Sequence, residues 1–261
     1  MKRYTPLPRK LELSCQKKFC AGESDDDPAQ DGDSWKRGAR GTFFYHILKT
    51  MNESIRKELL KSVKRIVIKI GSSVISASAG GGGALVRGLS EEMIHHYAVM
   101  VRKLADLGYE TVLVSSGAVM AGRQRLDLAR AKLSVPEKQA CAAIGQSYLM
   151  HTYEKHFDRV GLKVAQILLG SDDLEDRQRY LNAKNTIDAL LNYSVIPIIN
   201  ENDSVTVDEI KIGDNDTLSA TVACLANSQL LIIMSDVDGL YTRDPSKVGK
   251  QYSSPPELIH S

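Results

Sequence analysis

Cysteine is scarce in this chain, and its spacing builds nothing. Cys15, Cys20, Cys141 and Cys224 give neither a disulfide framework nor a paired zinc motif. Cys15 and Cys20 lie near each other, but no histidine or third thiol is close enough in sequence to complete a metal set. The usage is that of a reducing, cytoplasmic setting. A surplus of charge is lacking too: a formal net charge of +2 gives no strong pull toward nucleic acid or an anionic membrane. Apolar runs such as Leu230–Met234 fall far short of a membrane span. Met1–Cys20 carries basic residues without the apolar segment of a secretory signal.

Several catalytic signatures are missing as well. No G-x-x-x-x-G-K-[ST] occurs, which excludes a P-loop ATPase, and no G-x-G-x-x-G follows a strand, which argues against a dinucleotide enzyme. Without a G-x-S-x-G elbow there is no good serine nucleophile. The histidines lie badly for metal chemistry: His95 and His96 share one helix, His151 and His156 another. No H-x-x-H or H-E-x-x-H spacing supports a tightly held transition metal.

What is present is an ordinary globular balance, 43% hydrophobic and 25% charged over 261 residues, enough for one large α/β domain or two lobes. Residues 1–60 differ from the rest. They carry prolines, an acidic Ser-Asp-Asp-Asp-Pro run, a basic glycine-rich patch and Trp35, with little apolar periodicity. They read as a disordered leader, with a short helix after Met51 that puts Ile55 and Leu59 on one face. Residues 61–261 carry the fold.

From Arg65 onward apolar runs alternate with helical stretches. Ile66–Ile70, Thr111–Val114, Val164–Leu169, Val195–Ile199 and Leu230–Met234 read as strands. Between them, Ser90 caps a helix with a buried stripe of Ile94, Tyr97, Ala98, Val101 and Ala105. Further helices are expected over Pro136–Phe157, Leu181–Leu191 and Thr217–Leu225, with a flexible loop at Gly80–Gly83. Apolar strands buried on both faces and alternating with helices predict a three-layer αβα sandwich around a mostly parallel sheet. In such sheets ligands bind beyond the carboxyl ends of the strands.

The polar clusters fall there. Pro197–Asp216 holds Asn200-Glu201-Asn202-Asp203 and Gly213-Asp214-Asn215-Asp216, two turn-like clusters flanking what reads as a β-ribbon. Asp203, Asn215 and Asp216 offer acceptors for an ammonium group, for Mg2+ or for orienting a lysine. Lys69 sits in an apolar strand just before Gly71-Ser72, and a strand lysine needs either an anion or an exit to water. With the nearby backbone N–H groups it would make a phosphate clamp. Ser116-Gly117 follows a strand and precedes a helix, which offers N–H donors to a carboxylate or phosphate. Ser235-Asp236, after the last strand, faces the same crevice and suits a nucleotide.

These segments carry a resemblance. V-I-K-I-G-S-S, V-S-S-G-A-V, A-I-G-Q-S (Ala143–Ser147), D-R-Q-R-Y-L-N-A (Asp176–Ala183), P-I-I-N-E-N-D, K-I-G-D-N-D and S-D-V-D-G-L-Y-T-R-D-P together resemble the amino-acid kinase family, over about Val63–Pro245. The resemblance implies the amino-acid kinase fold. It also implies transfer of the ATP γ-phosphoryl group to the side-chain carboxylate of L-glutamate, the opening step of proline synthesis, with Mg2+ carried by the nucleotide. Under it, Lys69 neutralises the transferring phosphoryl group and Asp216 holds that lysine. Ser116, Asn200, Asp203 and Asn215 bind glutamate, Asp203 meeting its ammonium. Lys69, Gly71, Ser235 and Asp236 bind the nucleotide. The family carries a later glycine-rich segment with a second phosphate-binding lysine that has no counterpart before Ser261, so an incomplete C-terminal lobe and impaired turnover are expected. Feedback inhibition by proline and a homo-oligomer are implied as well. The alternatives are a family member acting on acetylglutamate, aspartate, carbamate or UMP, or a non-catalytic module that binds glutamate or proline.

Overall fold

The structure, a computed structural model, describes residues 57–58, 60–77, 88–128, 133–205, 215–235 and 242. The expected leader helix after Met51, the Gly80–Gly83 loop and the β-ribbon after Val205 lie outside these residues.

Five parallel strands form the sheet. They are β1 (Arg65–Ile70), β4 (Glu110–Ser115), β5 (Lys163–Leu169), β6 (Val195–Glu201) and β7 (Leu230–Met234), in the order β5-β6-β4-β1-β7. A separate antiparallel pair joins β2 (Ser76–Ala77) to β3 (Gly88–Leu89). The helices are α1 (Glu91–Asp106), α2 (Ala118–Arg125), α3 (Val135–Asp158), α4 (Ser171–Glu175), α5 (Arg177–Asn192) and α6 (Asn215–Leu225).

The local sequence explains most of these bounds. Ser90 caps α1, its hydroxyl accepting from Met93 N at 3.2 Å, with Glu91 and Glu92 in the first turn where the helix end is positive. At α3 the Glu137 carboxylate accepts from both the N–H and the O–H of Ser134, each at 2.7 Å. Asp176 caps α5 by accepting from Arg179 N at 2.8 Å. Of the stripe expected on α1, Ile94, Tyr97, Ala98 and Val101 are buried, and Ala105 is half-buried at the margin.

Two cores sandwich the sheet. On one face Ile66, Ile68, Ile70, Leu113, Ile196 and Ile198 pack against α1 and α3 through residues such as Ile94, Leu149, Tyr153 and Phe157. On the other, Val67, Val112, Val114 and Ile199 pack against α5 and α6 through Ile187, Leu191, Leu218, Val222 and Leu225. Alternation along each strand divides the two sets. The outer strands depart from the expectation of burial on both faces. In β5, Lys163 and Gln166 are exposed, and in β7 every residue is at most half-buried, with Ile233 39% exposed. Both are edges of the described sheet, where one flank has no neighbouring strand.

α2 and α3 cross with their backbones in contact. A Cβ on Gly145 would stand 1.8 Å from Ala118 O and 2.4 Å from Gly122 N, and one on Gly122 would stand 1.9 Å from Cys141 O. Only glycine permits that approach. The amino ends of the strands are tied by Arg65, whose guanidinium donates to Glu110 and Asp188 at 2.7 Å each and to the Ala226 carbonyl at 2.5 Å. Beside it, Gln229 Oε1 accepts from Lys64 N and Arg65 N at 3.0 and 2.9 Å.

Candidate active site

Strand alternation decides where Lys69 goes. Ile66, Ile68 and Ile70 point to the α1/α3 core, so Lys69 shares the face of Val67, the face on which α6 packs. Its ammonium meets Asp216 Oδ1 at 2.5 Å, with the lysine side chain 13% exposed and the carboxylate 45% exposed. Asp216 lies in the first turn of α6, where the helix end favours an acidic side chain. A Cβ on Gly71 would be 3.4 Å from the ammonium, so a side chain at that position would crowd it.

The neighbouring residue, Asn215, gathers three acceptors around one amide. Its Nδ2 donates to Ser115 O at 3.1 Å, Ser116 Oγ at 2.6 Å and Asn200 Oδ1 at 3.2 Å. Asn200 in turn accepts from Glu201 N at 2.9 Å and donates from Nδ2 to Gln146 Oε1 at 2.8 Å. This network accounts for an asparagine only 2% exposed. It also corrects the reading of two turn clusters. Asn200 and Glu201 are the last residues of β6, paired with Leu168 and Leu169, because Gln146 and neighbouring groups satisfy the amide that would otherwise favour a turn. Asn215 and Asp216 likewise open a helix.

Ser116 sits between strand and helix. Its N–H donates to Ile70 O at 3.0 Å, and Gly117 then turns at φ +108°, in the left-handed region, to start α2. Beneath it, Ser115 Oγ and Tyr153 OH share a buried hydrogen bond of 2.9 Å. Burial pushes the Tyr153 phenol above its ordinary range despite that bond, so it stays protonated.

Asp203 stands apart from this network. It lines an adjoining cavity of about 640 Å3 together with Glu201, Gln146, Ala118, His151 and Gln166. Lys69, Ser116, Asn215 and Asp216 are not among the lining residues, and Gln146 belongs to both the cavity and the network. Where β1 meets β7, the register pairs Ile70 with Met234, so Gly71 and Ser235 follow side by side at the strand ends. Asp236 lies outside the described residues. Among those residues, no group of three or more His, Cys, Asp or Glu side chains is arranged to hold a metal ion.

The arrangement brings together a cation, an amide–hydroxyl network and two helix amino ends, a donor set suited to anionic oxygens. Gln146, Ser115 and Tyr153 carried no role in the sequence reading. The signal for Gln146 was a polar residue inside the buried stripe Cys141, Ala142, Gly145, Leu149 and Tyr153 of α3.

Residues 64–254 match the profile of the Amino acid kinase family. The chain is 53% identical over 191 residues to a glutamate 5-kinase of Citrifermentans bemidjiense, covering 73% of this chain and 49% of the relative. It is 50% identical over 197 residues to one of Carboxydothermus hydrogenoformans, covering 73% and 50%. It is 52% identical over 193 residues to one of Clostridium tetani, covering 73% and 68%. The chain thus spans about half the length of most of these relatives. Among solved structures, a Giardia carbamate kinase aligns with a TM-score of 0.47 at 20% identity, covering 67% of this chain and 74% of that one. By the match of its whole strand–helix region, the chain belongs to the amino acid kinase family.

Proposed function

We propose that the protein transfers the γ-phosphoryl group of ATP to the side-chain carboxylate of L-glutamate, giving γ-glutamyl phosphate and ADP. The observation that carries this reading is the Lys69–Asp216 ion pair at the strand tips, beside the Asn215–Ser116–Asn200 network. A carboxylate oxygen attacks the γ-phosphorus as the bond to the bridging oxygen of ADP breaks, so the protein's task is alignment and charge stabilisation. Lys69 neutralises charge on the transferring group, and Asp216 holds the ammonium in position. Ser116, Asn200 and Asn215 orient the amino acid, and Asp203 takes its ammonium. Lys69, Gly71, Ser235 and Asp236 hold the nucleotide, whose phosphates carry Mg2+; that ion supplies further neutralisation of phosphate charge. Relatives at about half identity that are glutamate 5-kinases favour glutamate over the other substrates of the family. Cytoplasmic residence, a homo-oligomer and inhibition by proline belong to the same reading, as does a leader over residues 1–60.

The test is ADP release with a panel of acceptors. L-glutamate is expected to support turnover, and acetylglutamate, aspartate, carbamate and UMP are not; ADP release with one of those in its place overturns the assignment. Lys69→Ala is expected to lower turnover roughly a hundredfold or more, the worth of one well-placed cation. Near-normal turnover in that variant removes Lys69 from the mechanism.

A further inference from the structure

The A-I-G-Q-S segment packs through Gly145 and reaches the amide network through Gln146. Gln146 is 9% exposed on the inner face of α3, and the direction of its amide follows from backbone groups whose character is fixed. Glu201 N–H can only donate, so the Asn200 atom 2.9 Å away is Oδ1. Nδ2 of Asn200 therefore faces Gln146, and the Gln146 atom that receives it at 2.8 Å is Oε1. At the far end, Ser115 C=O can only accept, which fixes Asn215 Nδ2 inward. Ser116 Oγ accepts from that amide, so its own hydrogen is left to donate outward. The polarity of the whole chain Gln146–Asn200–Asn215–Ser116 is thereby set.

One consequence is that the Gln146 NH2 group makes no hydrogen bond among the described residues, in a side chain that lines the cavity beside Asp203. We propose that Gln146 is a specificity-determining residue whose Nε2 donates to the α-carboxylate of the amino-acid substrate. This inference rests on the glutamate reading above. Asp203, which takes the α-ammonium, lines the same cavity, and the α-carboxylate is joined to the same carbon as that ammonium. Glu201 and Asp203 also line the cavity and bring negative charge. An anionic oxygen entering there needs a donor, and Gln146 provides one whose rotation is prevented by Asn200.

The experiment uses the intact protein with two acceptors, L-glutamate and its α-amide, L-isoglutamine, which keeps the reacting side-chain carboxylate. Gln146→Glu retains an acceptor for Asn200 but presents an acceptor, not a donor, to the cavity. It is expected to lower kcat/KM for glutamate by roughly tenfold or more, to spare the KM for ATP, and to shift preference toward the α-amide. A merely structural role would lower both acceptors together and leave their ratio unchanged, and that result overturns the proposal. If Gln146→Glu does not fold, judged by its unfolding midpoint, Gln146→Met takes its place. The methionine variant is expected to lose most discrimination between the two acceptors, and retained wild-type discrimination sinks the idea. Failure of the wild-type protein to phosphorylate glutamate is a different outcome, one that overturns the functional reading itself.

Discussion

An ammonium that is mostly covered, at the end of an apolar strand, is stable only while something negative faces it. Asp216 is that group, and its own side chain is nearly half exposed. Asp216→Asn keeps the shape and removes the charge that fixes the lysine. Turnover is expected to fall roughly tenfold to a hundredfold, the range for losing a hydrogen bond to a charged group, with kcat taking most of the loss. Steady-state kinetics with saturating glutamate check this; a change confined to KM contradicts it.

At the scale of elements, the α2/α3 crossing sets where the amide chain begins. Gly145 and Gly122 bring the two backbones together, and the atoms a new Cβ would strike are carbonyl and amide groups that cannot rotate away. Gly145→Ala is expected to cost about 1–3 kcal/mol, read as a lowered midpoint in denaturant unfolding, and to weaken glutamate binding by moving Gln146. An unchanged midpoint argues against the crossing as described. Much at this scale could be read from sequence. The alternation of apolar strands with helices, the Ser90 cap and the single lysine in β1 are local signals, and each element formed where its pattern lay. For Gln146 the sequence offered only a polar residue in the α3 stripe and not what it meets, because its partner Asn200 is 54 residues away and meets it only after α3 packs over β6. Asn200 looked like a turn residue for the same reason: propensity counts the unsatisfied amide, whereas the folded chain satisfies it.

Across the whole molecule, a second cluster joins α1 to α3 away from the strand tips. His156, 3% exposed, lies 3.2 Å from Glu91 Oε2, which also takes Lys155 Nζ at 2.6 Å; the His95 ring is 5.6 Å away and Arg159 adds positive charge. Burial lowers the His156 pKa, and the Glu91 hydrogen bond only partly opposes it. The folded state thus favours the neutral ring. That stability is fully present above the unfolded value near 6.5 and is lost as pH falls through the lower folded value. Glu91, held below its ordinary range chiefly by Lys155, adds stability that is likewise lost in acid, below about 4.5. Thermal unfolding followed down from neutral pH is expected to show a falling midpoint, with a shallower fall in His156→Gln. Equal slopes in the two proteins would remove His156 as the cause.

The strand order also bears on how the chain is made. β1 is an interior strand of the described sheet, yet one of its two neighbours, the edge strand β7, lies far downstream: Lys64 and Gln229, which meet there, are 165 residues apart. On a ribosome this interval corresponds to roughly ten to thirty seconds of synthesis. Throughout it the Ile66–Ile70 edge has no β7 to close it, and a nascent chain in that state is the form on which holding chaperones act.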